Sequence, residues 1–378
     1  MPSINKNHFG DKLFETIRKK GNFLCLGIDP HLDLIPKVFQ KKIKLTNDIY
    51  SKNNIKIVES FCIKLIETIA DLVPAIKLQI AFFEQLGPEG FKLLSKLCHL
   101  IKEKHIICII DCKRGDIGST NNAYANAFFS KSSPYPCDAI TINPWLGIET
   151  LNAFEQYIPK FGLFILVHTS NPGAKDLQEQ TTIENKKLYE ILIDKLNPKI
   201  SKNIGKHNLS SIGIVTGATY PKELEHIRKK LPYAPFLIPG FGKQGGSIED
   251  ARRGLLPDKK YKNKFNSGII NSSRDLCFPI SANNCNDIKS WKKEIYKNLE
   301  ENIRIVKYSK IILNKAIRFG GSSIRDFKGI TGKSGNFQSE FKVYNRAKKR
   351  CSRNKCSGQI RRKIISNRST FICSVCQK

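Results

Sequence analysis

Short apolar runs recur through the first three hundred residues, each closing on polar residues, glycine or proline. They are Phe23–Asp29, Pro74–Gln79, His105–Asp111, Ala139–Asn143, Leu163–Thr169, Ser211–Gly217, Phe236–Gly240 and Ser267–Ser273. Continuous apolar runs of about 4–8 residues suit strands covered on both faces, as in parallel sheets. Between most of them the apolar positions return with helical spacing, as in Ile57–Leu72 and Gly90–Lys104. Eight β/α units within about 270 residues predict an α/β chain folded as a (β/α)8 TIM barrel. A doubly wound open sheet is the alternative. It would usually carry a glycine-rich phosphate loop after the first strand, and LGIDPHLD holds no G-x-G-x-x-G.

In such a barrel the chemistry sits at the C-terminal ends of the strands. Those ends are Asp29, Lys77 and Gln79, Asp111 to Asp116, Asn143, Ser170, Gly217, the Pro239–Gly246 loop and Arg274. In D-C-K-R-G-D, Asp111 and Lys113 fall on one face because strand side chains alternate with period two. Carboxylates and ammoniums crowded into a low-dielectric mouth are costly unless paired, and each opposite charge keeps its neighbour ionised. The stretch PGFGKQGG, Pro239 to Gly246, offers backbone N–H groups for a close approach to an anion. Arg274 follows the eighth run, where a guanidinium can grip phosphate oxygens bidentately. Phosphate sites after strands seven and eight recur in barrels. Three other residues read as structural: His168 as a satisfied strand histidine, Cys112 on the face opposite its neighbours, and Asn143 as a cap.

Composition changes the picture mainly at the C-terminus. The 378 residues carry a formal net charge of +31 and are 40% hydrophobic, enough for a large core. Residues 307–378 hold 19 Lys and Arg against 2 Asp and Glu, more than half the excess charge in under a fifth of the chain. That density favours an anionic partner, most simply nucleic acid; the plainer alternative is a solvated basic tail in a lysine-rich composition. Of the 12 cysteines, eight are scattered singly among apolar residues. They predict buried thiols in a reducing, cytoplasmic setting rather than a disulfide framework. No apolar run approaches the ~18–20 residues of a membrane span, and no secretory signal is visible. The last four cysteines, Cys351-x4-Cys356 and Cys373-x2-Cys376, have the paired spacing of a structural zinc site.

The residues carry two resemblances. FGDKLFETIRKKGNFLCLGIDP, AIKLQIAFFEQLGPEG, DCKRGDIGST, TINPWLG, HTSNPG and PGFGKQGG resemble the orotidine 5′-phosphate decarboxylase family, closest to its longer bacterial type, over about residues 9–305. The resemblance implies a cofactor-free carboxy-lyase that makes UMP in pyrimidine biosynthesis. Asp111, Lys113 and Asp116 would be its catalytic set, with Lys113 the proton donor and Lys77 beside them. Asp29 would contact ribose, and Ser170 the pyrimidine and carboxylate region. Thr120, Pro239, Gln244, Gly245 and Arg274 would complete the substrate site, Gln244 and Arg274 at the phosphate. A homodimer is implied, with Asp116 reaching into the other subunit's site. A metal-dependent keto-gulonate phosphate decarboxylase sharing D-x-K-x-x-D is the nearest rival, and magnesium dependence would distinguish it.

The tail is the second resemblance. KAIRFGGSSIRDF, GNFQSEFKVYNRA and NRSTFICSVCQ resemble the C-terminus of formamidopyrimidine-DNA glycosylase. That implies a four-cysteine zinc finger on Cys351, Cys356, Cys373 and Cys376, with Arg368 at a DNA phosphate. The x4 spacing departs from that family's usual x2. Pro2 is followed by Ser3 where the glycosylase has glutamate, so the excision machinery is absent and a DNA-binding role is the alternative function. The expected division is a barrel over 1–305 and a basic linker with zinc-finger fragment over 306–378.

Overall fold

The computed structural model describes residues 8–240, 248–256, 267–318, 337–365 and 368–377. Two compact units emerge, Met1–Lys307 and Tyr308–Lys378.

The first unit is a closed barrel of eight parallel strands in sequence order. They are β1 (Leu24–Ile28), β2 (Ala75–Gln79), β3 (Ile107–Arg114), β4 (Ala139–Ile142), β5 (Gly162–His168), β6 (Ile212–Thr216), β7 (Phe236–Ile238) and β8 (Gly268–Ser272). Each expected run coincides with a strand, with ends shifted by a few residues at most. β1 and β8 close the ring, Cys25 lying opposite Asn271. Burial on both faces accounts for the unbroken apolar runs. The expected helices appear as Lys52–Ile69 and Gly87–Glu103, each burying one stripe against the strands.

Before the barrel, helix Phe9–Lys20 seats Phe9 edge-on against Phe164 of β5, with ring centres 5.9 Å apart. After it, helix Ile288–Arg318 buries Trp291 between Phe39 and Phe61. Aromatic edges against faces add about 0.5–1.5 kcal/mol per pair beyond area burial.

Arg228 is a buried charge outside the cavity that bears on the site. It lies near the end of a basic helix, Pro221–Lys230, yet is 3% exposed. Helical spacing puts it on the buried face with Leu224 and Ile227. Its guanidinium donates to the carbonyls of Gly254 (2.7 Å), Leu231 (3.0 Å), Ala234 (2.8 Å) and Ser267 (3.0 Å) and lies over the Phe236 ring. One side chain thus ties together the segments that lead into β7 and β8, the strands whose ends bear Pro239 and Arg274.

The second unit carries a two-stranded antiparallel hairpin, β9 (Ile360–Ile365) with β10 (Arg368–Cys373). Ile360 and Cys373 are buried in it.

Candidate active site

The C-terminal mouth of the barrel opens into a cavity of about 310 Å³. Its lining draws Asp29 from the end of β1, Lys77 and Gln79 from β2, and Asp111 and Lys113 from β3. Ser170 follows β5, Pro239 follows β7 and Arg274 follows β8. Strand ends far apart in sequence therefore meet at one place.

Asp111 is the hub. Lys77 Nζ donates to its Oδ2 at 2.8 Å, and Gln79 Nε2 to the same oxygen at 3.0 Å. Lys113 Nζ donates to Oδ1 at 2.6 Å and Thr141 Oγ1 at 2.9 Å. Burial alone would raise the Asp111 carboxyl, but Lys77 and Lys113 outweigh it and hold it well below the usual carboxylate range. Burial would likewise lower Lys77; Asp111 and Asp29 reverse that and hold its ammonium above the usual lysine range. The result is a carboxylate gripped by two ammoniums. Lys77 is 6% exposed at its side chain and Lys113 46%, so Lys113 is the more open of the two to a ligand.

Lys113 reaches this position through strained backbone. Its φ is 47°, left-handed for a residue with a Cβ, and the β3–β4 register slips between Ile110 and Arg114. The Lys113 N–H is held by Thr141 Oγ1 at 2.9 Å. Plain alternation puts Asp111 and Lys113 on one face; the bulge and Thr141 set the angle at which Lys113 enters the cavity. Such strain concentrates where a side chain must be aimed. Cys112 turns away as expected, its thiol facing the Thr141 carbonyl.

Other parts of the mouth are built by close approach. Gly217 follows β6, where any Cβ would press into the backbone of Ser170. Thr219 Oγ1 donates to the Ser170 carbonyl at 3.1 Å, fixing the loop from the other side. Asp29 Oδ1 is buried with no hydrogen-bond partner among the described residues. Buried acceptors are rarely left so, and Asp29 lines the cavity.

Asp116 and Thr120 do not join this cavity. Asp116 sits past the turn with Oδ1 accepting from the Ile117 N–H at 2.7 Å. Thr120 is exposed in the first turn of helix Gly118–Phe129. Ile117, Trp145 and Leu146 are exposed apolar side chains in the loops after β3 and β4. Gln244 and Gly245 lie outside the described residues. Of the residues read as structural, Asn143 caps its turn by accepting from the Trp145 N–H at 3.1 Å. His168 is fully buried, with Nε2 3.2 Å from Glu179 Oε1; its Nδ1 has no partner among the described residues. Thr141 and Asn271 also line the cavity, and neither stands out in the sequence.

Residues 22–277 match the model of the orotidine 5′-phosphate decarboxylase / HUMPS family, about two thirds of the chain. The chain belongs to that family. An orotidine 5′-phosphate decarboxylase of Clostridium perfringens (strain SM101 / Type A) is 37% identical over 274 residues, covering 72% of this chain and 89% of the relative. One from Caldicellulosiruptor bescii is 36% identical over 306 residues, 78% of this chain and 98% of the relative. Among solved structures, a putative orotidine 5′-phosphate decarboxylase from Streptomyces avermitilis has a TM-score of 0.62 at 28% identity, over 80% of this chain and 96% of that one. The decarboxylase-family match stops at residue 277, so the cysteine tail lies outside it.

In the tail, the Sγ atoms of Cys351, Cys356, Cys373 and Cys376 all lie within 4.8 Å of one another. Cys351 and Cys376 are 3.7 Å apart, Cys356 and Cys373 3.6 Å. Four thiolates at ~2.3 Å around a tetrahedral zinc stand ~3.8 Å apart, so the donor set fits that ion. The longer first spacing is absorbed by a turn in which Lys355 takes a φ of 61°. The side chain of Arg368 lies outside the described residues.

Proposed function

We infer that the barrel decarboxylates orotidine 5′-phosphate to UMP, with Lys113 as the group that faces the reacting carbon. The observation that carries this reading is the Lys77–Asp111–Lys113 chain at the mouth, with one lysine sealed and the other open. Loss of CO2 from C6 leaves an electron pair on a carbon without an obvious sink. A pre-aimed ammonium stabilises that charge with no reorganisation, and then gives its proton to C6. Asp111 keeps Lys113 aimed, and Lys77 keeps Asp111 ionised. Asp29 accepts from ribose, Ser170 meets the base and carboxylate region, Arg274 with Gln244 holds the phosphate, and Pro239 and Gly245 complete the substrate site. Phosphate binding far from C6 supplies orientation. No cofactor enters the scheme. The test is turnover of orotidine 5′-phosphate with chelator present and Lys113→Ala alongside.

The reading extends to a homodimer. Asp116 and Thr120 stand apart from their own cavity, on the same loop and helix start as exposed Ile117. In a dimer they would complete the site of the other copy. A mixture of inactive Asp116→Ala and Lys113→Ala chains should then regain about a quarter of wild-type activity after subunit exchange, because one mixed site carries neither change. No recovery in a mixture shown to have exchanged would exclude a shared Asp116. A soluble cytoplasmic enzyme is the accompanying proposal; among the described residues no helix is long and apolar enough to cross a membrane.

For the tail we propose a structural zinc held by four cysteines, supported by the converging thiols. Such a small basic segment would depend on the metal for its fold. One zinc per chain is expected by elemental analysis, lost in Cys373→Ser, with decarboxylation unchanged. A metal-free wild-type chain after purification in zinc would contradict it. A second reading, DNA binding as in the glycosylase the tail resembles, rests on that resemblance and on the tail's basic charge alone. It requires duplex binding that weakens steeply with salt and vanishes in Cys373→Ser.

A further inference from the structure

Asn271 is a buried amide whose carbonyl oxygen is left unpaired among the described residues. It lies on β8 between Ile270 and Ser272, is 7% exposed, and lines the cavity. Its Oδ1 has no hydrogen-bond partner among the described residues. Among the described residues its Nδ2 reaches only Ser273 Oγ, at 3.5 Å, the outer limit of a hydrogen bond. The preceding positions of β8, Ile269 and Ile270, are apolar and fully buried, so packing alone would favour another aliphatic residue here. An unpaired buried amide is destabilising and calls for a partner.

The neighbouring strand is shaped to admit it. β1 pairs with β8, and Gly27 of β1 stands where any Cβ would collide with Ser273 Oγ and come within 3.0 Å of Asn271 Oδ1. The same strand leads to Asp29, whose Oδ1 is likewise buried and unpartnered among the described residues, in this cavity. Two unpaired acceptors from adjacent strands therefore face one space. What fills it must donate hydrogen bonds. A phosphate dianion has no donor to offer. The single N–H of the pyrimidine ring belongs to the Ser170 end. The ribose hydroxyls are the remaining donors.

We propose that Asn271 is a substrate-contacting residue whose carboxamide accepts a hydrogen bond from a ribose hydroxyl of the bound nucleotide. The inference rests on the nucleotide reading above, and the experiment separates the two. Dissociation constants of UMP, 2′-deoxyUMP and 3′-deoxyUMP are measured by calorimetry on wild type, Asn271→Leu and Asn271→Ser, with melting temperatures and the kcat and KM for orotidine 5′-phosphate. Wild type should bind UMP more tightly than at least one deoxynucleotide. Asn271→Leu should weaken UMP about three- to tenfold and erase most of that preference, while its melting temperature holds or rises. Asn271→Ser, whose shorter side chain withdraws from the cavity, should show the same loss. UMP affinity and deoxynucleotide preference unchanged in both variants would overturn the proposal and leave Asn271 bound to water only. A lowered melting temperature in Asn271→Leu with unaltered preference in Asn271→Ser would make the residue structural, also overturning it. Failure of wild type to bind UMP at all would instead strike the nucleotide reading.

Discussion

Replacing Lys113 by alanine should reduce kcat by about four orders of magnitude or more while leaving the fold and UMP binding largely intact. In the mechanism proposed above, Lys113 supplies both the positive charge facing C6 and the proton that replaces CO2, and losses of about 10²–10⁴ are usual for either role alone. Structurally, Lys113 is the expendable member of the cluster. Its side chain is 46% exposed, and without it Asp111 still accepts from Lys77, Gln79 and Thr141. Stopped-flow or steady-state turnover beside a urea melt checks both halves. Near-normal activity in Lys113→Ala would remove the mechanism; a collapsed fold would show that the lysine is structural.

The second large effect is on stability. Asp111→Asn should cost about 3–5 kcal/mol and abolish turnover, because it leaves the Lys77 ammonium buried with its main counter-charge gone. The pH dependence follows from the two shifts. Asp111 is held below its unfolded value, so its contribution is complete above pH ~4 and drains away as pH falls through the lowered folded value. Lys77 is held above its unfolded value, so its contribution is complete below pH ~10.4 and is lost only as pH rises through the raised folded value. The stability gap between wild type and Asp111→Asn should therefore be widest between about pH 5 and neutrality, narrow in acid below pH ~4, and narrow again on the alkaline side as the variant's buried Lys77, without its counter-charge, gives up its proton. Urea denaturation at a series of pH values measures it. A gap that does not change as pH falls below ~4 would mean that the pair is not ionised as described.

The barrel was legible in the sequence because its strands are covered on both faces. The eight apolar runs could hardly serve any other element, and each coincides with a strand. Lys77, Asp111 and Lys113 were legible for a related reason: charged groups at the ends of such runs have little structural purpose. What escaped was whatever broke the alternation. Lys113 depends on a bulge and a left-handed backbone, which D-C-K-R does not announce. Thr141 within AITIN and Asn271 within SGIINSS read as the polar dilution of apolar strands. Their signal was present, since a polar side chain amid fully buried neighbours needs a partner. Arg228 sat in a basic run, HIRKK, that resembles a solvated helix end. Its i+4 relation to Leu224 was the clue that it turns inward. Asp116 and Thr120 show a different limit, because the shared site proposed above needs a second copy that one chain does not supply.

The most direct test of the account is the ultraviolet absorbance change of the purified full-length chain mixed with orotidine 5′-phosphate in chelator, with Lys113→Ala alongside. The account predicts rapid conversion to UMP by the wild type, unaffected by the chelator, and none by Lys113→Ala. Conversion that requires added magnesium, or that persists in Lys113→Ala, would contradict it.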